Sequence, residues 1–339
     1  MTRRLLALPT LVLAALAILA APAFGCGGLV APGHAEVLQK ATTLAAWHDG
    51  LEHYVTGFQF AGAADRFGYI VPLPGVPSKI EKAGQWTLER LEREVNPVKA
   101  VPVFAAAAGG GVPGVEVLQR ARVDALDITV VRGGGSDVAA WAKANGFDLT
   151  PDTPRVLGAY SSKGAVFALA RFSGLRAANR GLVQGQGTIV HFVIPTQAPW
   201  IPLRILALGK VPAEVVDADL FVLTDHLPVL SPAPDGIPGT TIKANGPASA
   251  QLLADLRSDR GMGWLPPRGM WLTALTLHTT ASALRADLSI DGGGPPLARS
   301  AVVPVGSSMS WPWWLLVAGF AVAGVAGMVR LRTVAPPVA

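Results

Sequence analysis

Six histidines, His34, His48, His53, His191, His226 and His278, are the side chains of this chain best suited to moving protons near neutral pH. Two of them stand beside a carboxylate, in His48-Asp49 and Asp225-His226, and an imidazole with a carboxylate is the raw material of a general acid–base pair. Neighbours on a strand point to opposite faces, however, so neither pair can readily share a proton within itself. Asp49-Gly50 reads instead as a hairpin turn, and His226, ahead of Leu227-Pro228, as a solvated loop residue. No His-Glu-x-x-His or comparable spacing is present, so zinc has no sequence support. Ser161 and Ser162 in "GAYSSKGA" lack the Gly-x-Ser-x-Gly elbow, and Lys163 does not complete a Ser-x-x-Lys motif. "GGGVPG", Gly109 to Gly114, fits Gly-x-Gly-x-x-Gly formally, but it contains Pro113 and runs into a strand where a dinucleotide site needs a helix. Cys26, the single cysteine, sits among glycines near the N-terminus with no base to hold it. The residues therefore assign no catalytic, cofactor-binding or metal-ligating set, and no cofactor.

The elements that would position these groups are mostly strands. Lys40 to Trp47 and Glu52 to Phe60 read as a pair around the "HDGL" turn. A strand from Phe67 to Val71 should stop where Pro72 and Pro74 remove ladder donors. "TLERLEREVNP" gives a helix with Leu88, Leu91 and Val95 on one face, closed by Asn96-Pro97. Strands follow near Val115 to Arg122 and Ala125 to Val131. A short helix then has Ser136 as N-cap, a buried stripe of Val138, Trp141 and Ala142, and Gly146 at C′. "GAVFALARF", "GTIVHFVIP" and "PLRILAL" continue the β pattern, with a loop over "RAANRGLVQGQ". "DLFVLTDHLPVL" reads as a strand and "SAQLLADLRSD" as a helix, while "MWLTALTLHTT" fits a strand or a buried helix. Helices interspersed without strict alternation predict an α+β domain with a mixed or antiparallel sheet and a few short helices.

The two ends carry the targeting signals. Residues 1–25 combine Arg3 and Arg4, an apolar run from Leu5 to Ala20 and small residues suited to cleavage after Ala23 or Gly25, the pattern of a signal peptide. Ala23 and Phe24 make a poor lipobox, and the mature thiol of Cys26 is left free, lipidated or bridged to a second chain. Residues 311–329 contain no charge and precede Arg330 and Arg332, which predicts one C-terminal transmembrane helix. The expected organisation is a signal peptide over 1–25, an extracytoplasmic domain over 26–310 with a subdomain boundary near 173–187, a membrane span over 311–329 and a cytoplasmic tail over 330–339. Gly319, Ala323 and Gly327 at four-residue spacing offer a small-residue groove for homodimerisation. Four of the 28 basic residues belong to these ends, which leaves 24 against 23 acidic ones. The domain is nearly neutral, and no nucleic-acid partner is expected.

Cys26-Gly27-Gly28, "FGYIVPLPGVP" from Phe67 to Pro77, "AAWAKANGFDLTPD" from Ala139 to Asp152, the "VFALARF" strand and "VHFVIPTQAPWIPLRI" from Val190 to Ile205 together resemble the bacterial domain-of-unknown-function family 2330. The resemblance implies an exported, membrane-anchored protein and brings no activity with it. The function expected is a non-catalytic binding or envelope-assembly module at the cell membrane, meeting an unknown protein or envelope ligand; the alternative is an envelope hydrolase whose site is assembled from residues distant in sequence.

Overall fold

Asp49 and Gly50 adopt positive φ angles of 50° and 76°, the backbone of a two-residue hairpin turn matched to the twist of its strands. This computed structural model describes residues 28–30, 40–59, 68–96, 116–160, 165–179 and 187–291, all inside one compact unit, Met1–Ser300. The turn joins β2 (Ala41–His48) to β3 (Leu51–Gln59) in the middle of a seven-stranded sheet. Outward from β3 lie β9 (Gly187–Pro195) and β5 (Lys79–Lys82); outward from β2 lie β11 (Val215–Thr224), β14 (Trp271–Thr280) and β13 (Thr240–Pro247). Every pairing in this sheet is antiparallel except that of β11 with β2.

A five-stranded antiparallel sheet runs in the order β1 (Gly28–Val30), β4 (Gly68–Leu73), β8 (Val166–Phe172), β7 (Leu126–Arg132) and β6 (Glu116–Val123). A small third sheet contains β10 (Trp200–Ile201), β15 (Leu288–Asp291) and β12 (Val229–Ser231). Between the two large sheets lies one apolar cluster that includes Ala45, Tyr54, Phe192, Leu220 and Leu275 from the first and Tyr69, Leu126, Ile128, Ala168 and Phe172 from the second. This cluster draws on residues from both sides of positions 173–187.

Each sheet buries its other face under helices, as period-two alternation of apolar residues requires. On the seven-stranded sheet, Leu44, Ala46, Val55 and Phe221 meet Leu88 and Leu91 of α1 (Trp86–Val95) and Leu252, Leu253 and Leu256 of α5 (Ala250–Arg257). On the five-stranded sheet, Ile70, Val131, Phe167 and Leu169 meet α2 (Gly135–Ala144) and α3 (Thr153–Gly158). The result is helix, sheet, sheet, helix in four layers.

Several local expectations need adjusting. β4 runs through Pro72 to Leu73, because the three-residue β1 pairs only with Gly68–Ile70 and leaves the proline nitrogen facing no ladder. The first helix cap of α2 is Gly134, with no side-chain cap bond from Ser136, while Gly146 takes the positive φ of 83° expected at C′. "PLRILAL" forms a 3-10 turn over Arg204–Ala207, where Asp287 accepts from the Arg204 backbone at 2.9 Å and from its Nε at 2.7 Å. The expected loop after Phe172 opens with α4 (Gly174–Asn179), and "MWLTALTLHTT" is a strand, β14, paired on both sides.

The expected fold class, an α+β domain with a transmembrane helix, is corrected to a mixed α/β chain of several sheets and short helices. Among the described residues no helix is long and apolar enough to cross a membrane. The longest, α1 and α2, have ten residues each, where a span needs roughly 20. The single-pass description of the function, the membrane as partner and the cell-membrane location of the chain are withdrawn on the same finding. Positions 311–329, with the proposed dimer groove of Gly319, Ala323 and Gly327, lie outside the described residues, as do Cys26 and residues 1–25.

Candidate functional site

On the helix-covered face of the seven-stranded sheet, alternation selects one residue per strand. Val55 packs outward, so His53 on the same strand does too; Leu44 and Ala46 carry His48 with them, and Ile189 carries His191. Ile80 packs inward, which turns Glu81 outward. Asp225 follows the last residue of β11, level with His48 at the end of β2, because Thr224 pairs with Trp47. The strands lie side by side in the order β5, β9, β3, β2, β11. Their outward residues form a row: Glu81, His191, His53, His48, Asp225.

Contacts link the row from both ends. Glu81 Oε1 lies 3.2 Å from His191 Nδ1, off the line of an aligned hydrogen bond, and His191 Nε2 is 2.9 Å from His53 Nδ1. At the other end His48 Nδ1 is 2.7 Å from Asp225 Oδ1, and Asp49 Oδ2 lies 3.4 Å from His48 Nε2. Trp264 covers the middle: its ring stacks on His53 with centroids 3.5 Å apart and planes 10° from parallel, and its centroid is 6.4 Å from that of His48.

Burial divides the row into a dry middle and two wetter ends. His53 and His191 are buried. Burial, with the neighbouring His191, His48 and Lys79, lowers the pKa of His53 to about 3. Burial likewise lowers that of His191 to about 4, Glu81 pulling the other way. Both rings are therefore neutral at pH 7, and their 2.9 Å contact needs one N–H and one lone pair. If His191 directs its Nδ1 proton at Glu81, its Nε2 accepts from His53 Nδ1–H, and the lone pair of His53 Nε2 is left free. The His48 side chain is 27% exposed, that of Asp225 26% and that of Glu81 28%, so solvent reaches both ends of the row and not its middle.

The loop over residues 258–270 brings Trp264 into place. Asp259 at its start accepts from Thr87 N and Thr87 Oγ1, each at 2.7 Å, and from Arg260 N at 2.8 Å. Gly84 donates its N–H to Arg260 O at 2.9 Å; a Cβ at Gly84 would sit 1.6 Å from Asp259 Oδ1, so only glycine permits the approach. Met262 and Leu265, both buried, flank the tryptophan and hold the loop down. Behind the row, on the inner face of β3, Glu52 is fully buried, and among the described residues neither carboxylate oxygen is in an aligned hydrogen bond. Burial pushes its carboxyl well above the usual range, against a smaller pull from the Trp200 backbone.

The structure thus joins one half of each adjacent pair in the sequence to one half of the other. His48 meets Asp225, 177 positions away, while Asp49 shapes the turn as expected and also approaches His48. His226 is half-buried, its carbonyl accepting from Thr224 Oγ1 at 2.6 Å. His278 pairs with Asp217 directly across β14 and β11 at 2.6 Å, but its side chain is 75% exposed. Glu81 and Trp264 were not legible as site residues. Among the described residues no group of three or more His, Cys, Asp or Glu is arranged to hold a metal. His34, Gly109 to Gly114, Ser161, Ser162 and Lys163 lie outside the described residues.

With this geometry in hand, the chain can be set beside known proteins. A family model described as an uncharacterised protein conserved in bacteria matches residues 20–239, a span that holds Glu81, His191, His53, His48 and Asp225 and ends before Trp264. No curated protein matches the chain. Among solved structures, baculovirus P35 aligns over 75% of this chain and 95% of its own, at 8% identity and a TM-score of 0.38, a likeness too low to carry a conclusion about fold or activity.

Proposed function

The chain belongs to the DUF2330 family, whose description names no activity, and from the geometry of the row we propose that this protein is a proton-transfer catalyst working at the His48–Asp225 pair. The 2.7 Å contact between His48 Nδ1 and Asp225 Oδ1 carries the reading. A carboxylate on Nδ1 fixes the ring and its tautomer, stabilises the imidazolium that forms on proton uptake, and leaves Nε2 as the working base toward water or a substrate hydroxyl. Asp49, from the tip of the hairpin, meets that same Nε2 and would yield to a substrate, its side chain being 83% exposed. The buried middle of the row supports the site: neutral His53 and the Trp264 ring form a rigid wall beside His48 that cannot itself take up charge near pH 7.

Turnover of a panel of chromogenic carboxylic and phosphate esters tests the reading. His48→Gln and Asp225→Asn should each lower kcat/KM by about 10²- to 10⁴-fold, while His278→Gln, at the exposed pair across β11 and β14, should leave it unchanged. Equal turnover in His48→Gln and the parent, or no turnover of any panel member by the parent, would overturn it. We read residues 1–25 as a cleaved export signal on the strength of their sequence pattern, so that catalysis takes place after export; a purified chain that still begins at Met1 would rule this out.

A further inference from the structure

On the opposite side of the sandwich, beside the helices of the five-stranded sheet, α3 and two 3-10 turns enclose a cleft of about 400 Å³. Its charged lining is entirely cationic: Arg155 from α3, Arg204 from the turn Arg204–Ala207, Lys210 from the loop that follows, and Arg285 beyond the turn Ala281–Ala283. Its remaining wall is largely apolar, with Val156, Ala281 and Leu284 all buried in it.

The carboxylates that answer these cations stand behind the wall. Asp287 grips Arg204 through Nε at 2.7 Å and Nη2 at 2.6 Å, and the guanidinium lies 4.6 Å over the Tyr160 ring. Glu214 holds Lys210 Nζ at 2.5 Å. These two cations are therefore fixed in position without a carboxylate in the cleft itself. The two at the mouth are less engaged: Arg155 has Asp152 at 3.6 Å with 79% of its side chain exposed, and among the described residues Arg285 has only a 3.4 Å bond from Nε to the Ser282 carbonyl. Pre-positioned cations inside, loosely held forks outside and apolar walls between suit one class of ligand.

We propose that this cleft is a binding site for a small organic anion, a carboxylate or phosphate group carried on a compact apolar body. The oxyanion sits between the Arg155 and Arg285 guanidiniums, with Arg204 and Lys210, each already neutralised by its carboxylate, offering N–H donors beneath, and the apolar body packs on Val156, Ala281 and Leu284. A pocket of this size accepts a ligand of about one aromatic ring with its headgroup.

Calorimetric titration of the full chain with benzoate, phenyl phosphate and inorganic phosphate tests the assignment. Benzoate or phenyl phosphate, whichever headgroup fits, should bind more tightly than inorganic phosphate, since the bare ion uses no apolar wall. Arg155→Ala with Arg285→Ala should weaken that binding about tenfold or more. Ala159→Trp, at an exposed position of the lining, should block it with all four cations kept. Arg122→Ala, at an exposed arginine of β6, should change nothing. The proposal is overturned if neither organic anion binds, or if binding survives both the double arginine variant and Ala159→Trp. Inorganic phosphate binding as tightly as the organic anions would overturn it as well.

Discussion

Acidification should weaken this fold well above the pH at which carboxylates protonate, because two buried imidazoles must stay neutral for it to form. In the unfolded chain His53 and His191 titrate near the free value of 6.5; in the fold they do so at about 3 and about 4. A depressed folded pKa means that the unfolded state binds more protons throughout the interval, so stability is intact above pH 6.5 and is lost as pH falls toward the folded values. Each pH unit in that interval costs about 1.4 kcal/mol per histidine. From pH 6 to pH 5 the pair should therefore remove roughly 2–3 kcal/mol, a large part of a total of roughly 5–15 kcal/mol. Glu52 works against this, since its raised pKa makes the fold more stable as pH falls toward its unfolded value of 4.5. The clean measurement is urea unfolding in a Glu52→Gln background at pH 7, 6, 5.5 and 5, followed by tryptophan fluorescence. The fall between pH 6 and 5 should be close to the two-histidine value there, and close to half of it once His53→Gln is added. An unchanged slope in that second variant would refute the claim that His53 is held neutral by its burial.

The loop over the row can be tested separately. Asp259→Ala removes three hydrogen bonds that fasten its start; it should cost about 2–3 kcal/mol in urea unfolding and raise amide exchange of residues 260–265 ahead of the strands. Trp264→Ala uncovers His53 and should expose its ring to carbethoxylation by diethyl pyrocarbonate, detected by mass spectrometry, at a rate approaching that of half-exposed His48.

How far the chemistry was visible before the fold depends on the span of each contact. The hairpin at Asp49-Gly50 and the apolar face of α1 are local, set by turn backbone and helical period, and both could be read from a dozen residues. Alternation sets sequence neighbours on opposite faces only within a strand: Asp49, in the turn with a φ of 50°, brings its carboxylate back to 3.4 Å from His48, and alternation does not say which strand lies alongside. That depended on β11 docking parallel to β2, across 177 positions between His48 and Asp225. Parity in "LEHYVTGFQ" and "GTIVHFVIP" would have put His53 and His191 on one face once those strands were known to be paired. Trp264 carried no such signal, since the loop that delivers it has no periodicity. The alternatives for "MWLTALTLHTT" came from its being buried on both faces, which removes the alternation that separates a strand from a helix.

The parallel seam between β11 and β2 gives the His48–Asp225 contact a meaning apart from chemistry. A slip of one residue along that seam would place Thr224 or His226 beside His48 and turn the Asp225 carboxylate to the other face of the sheet. The 2.7 Å contact can exist in one alignment only. It ties the first hairpin to a strand that emerges from the ribosome more than 150 residues later, so the ring of His48 is a gauge of whether the late strand has seated correctly. In a refolding experiment its Nδ1 proton should become protected from exchange only when the seam has closed in native alignment.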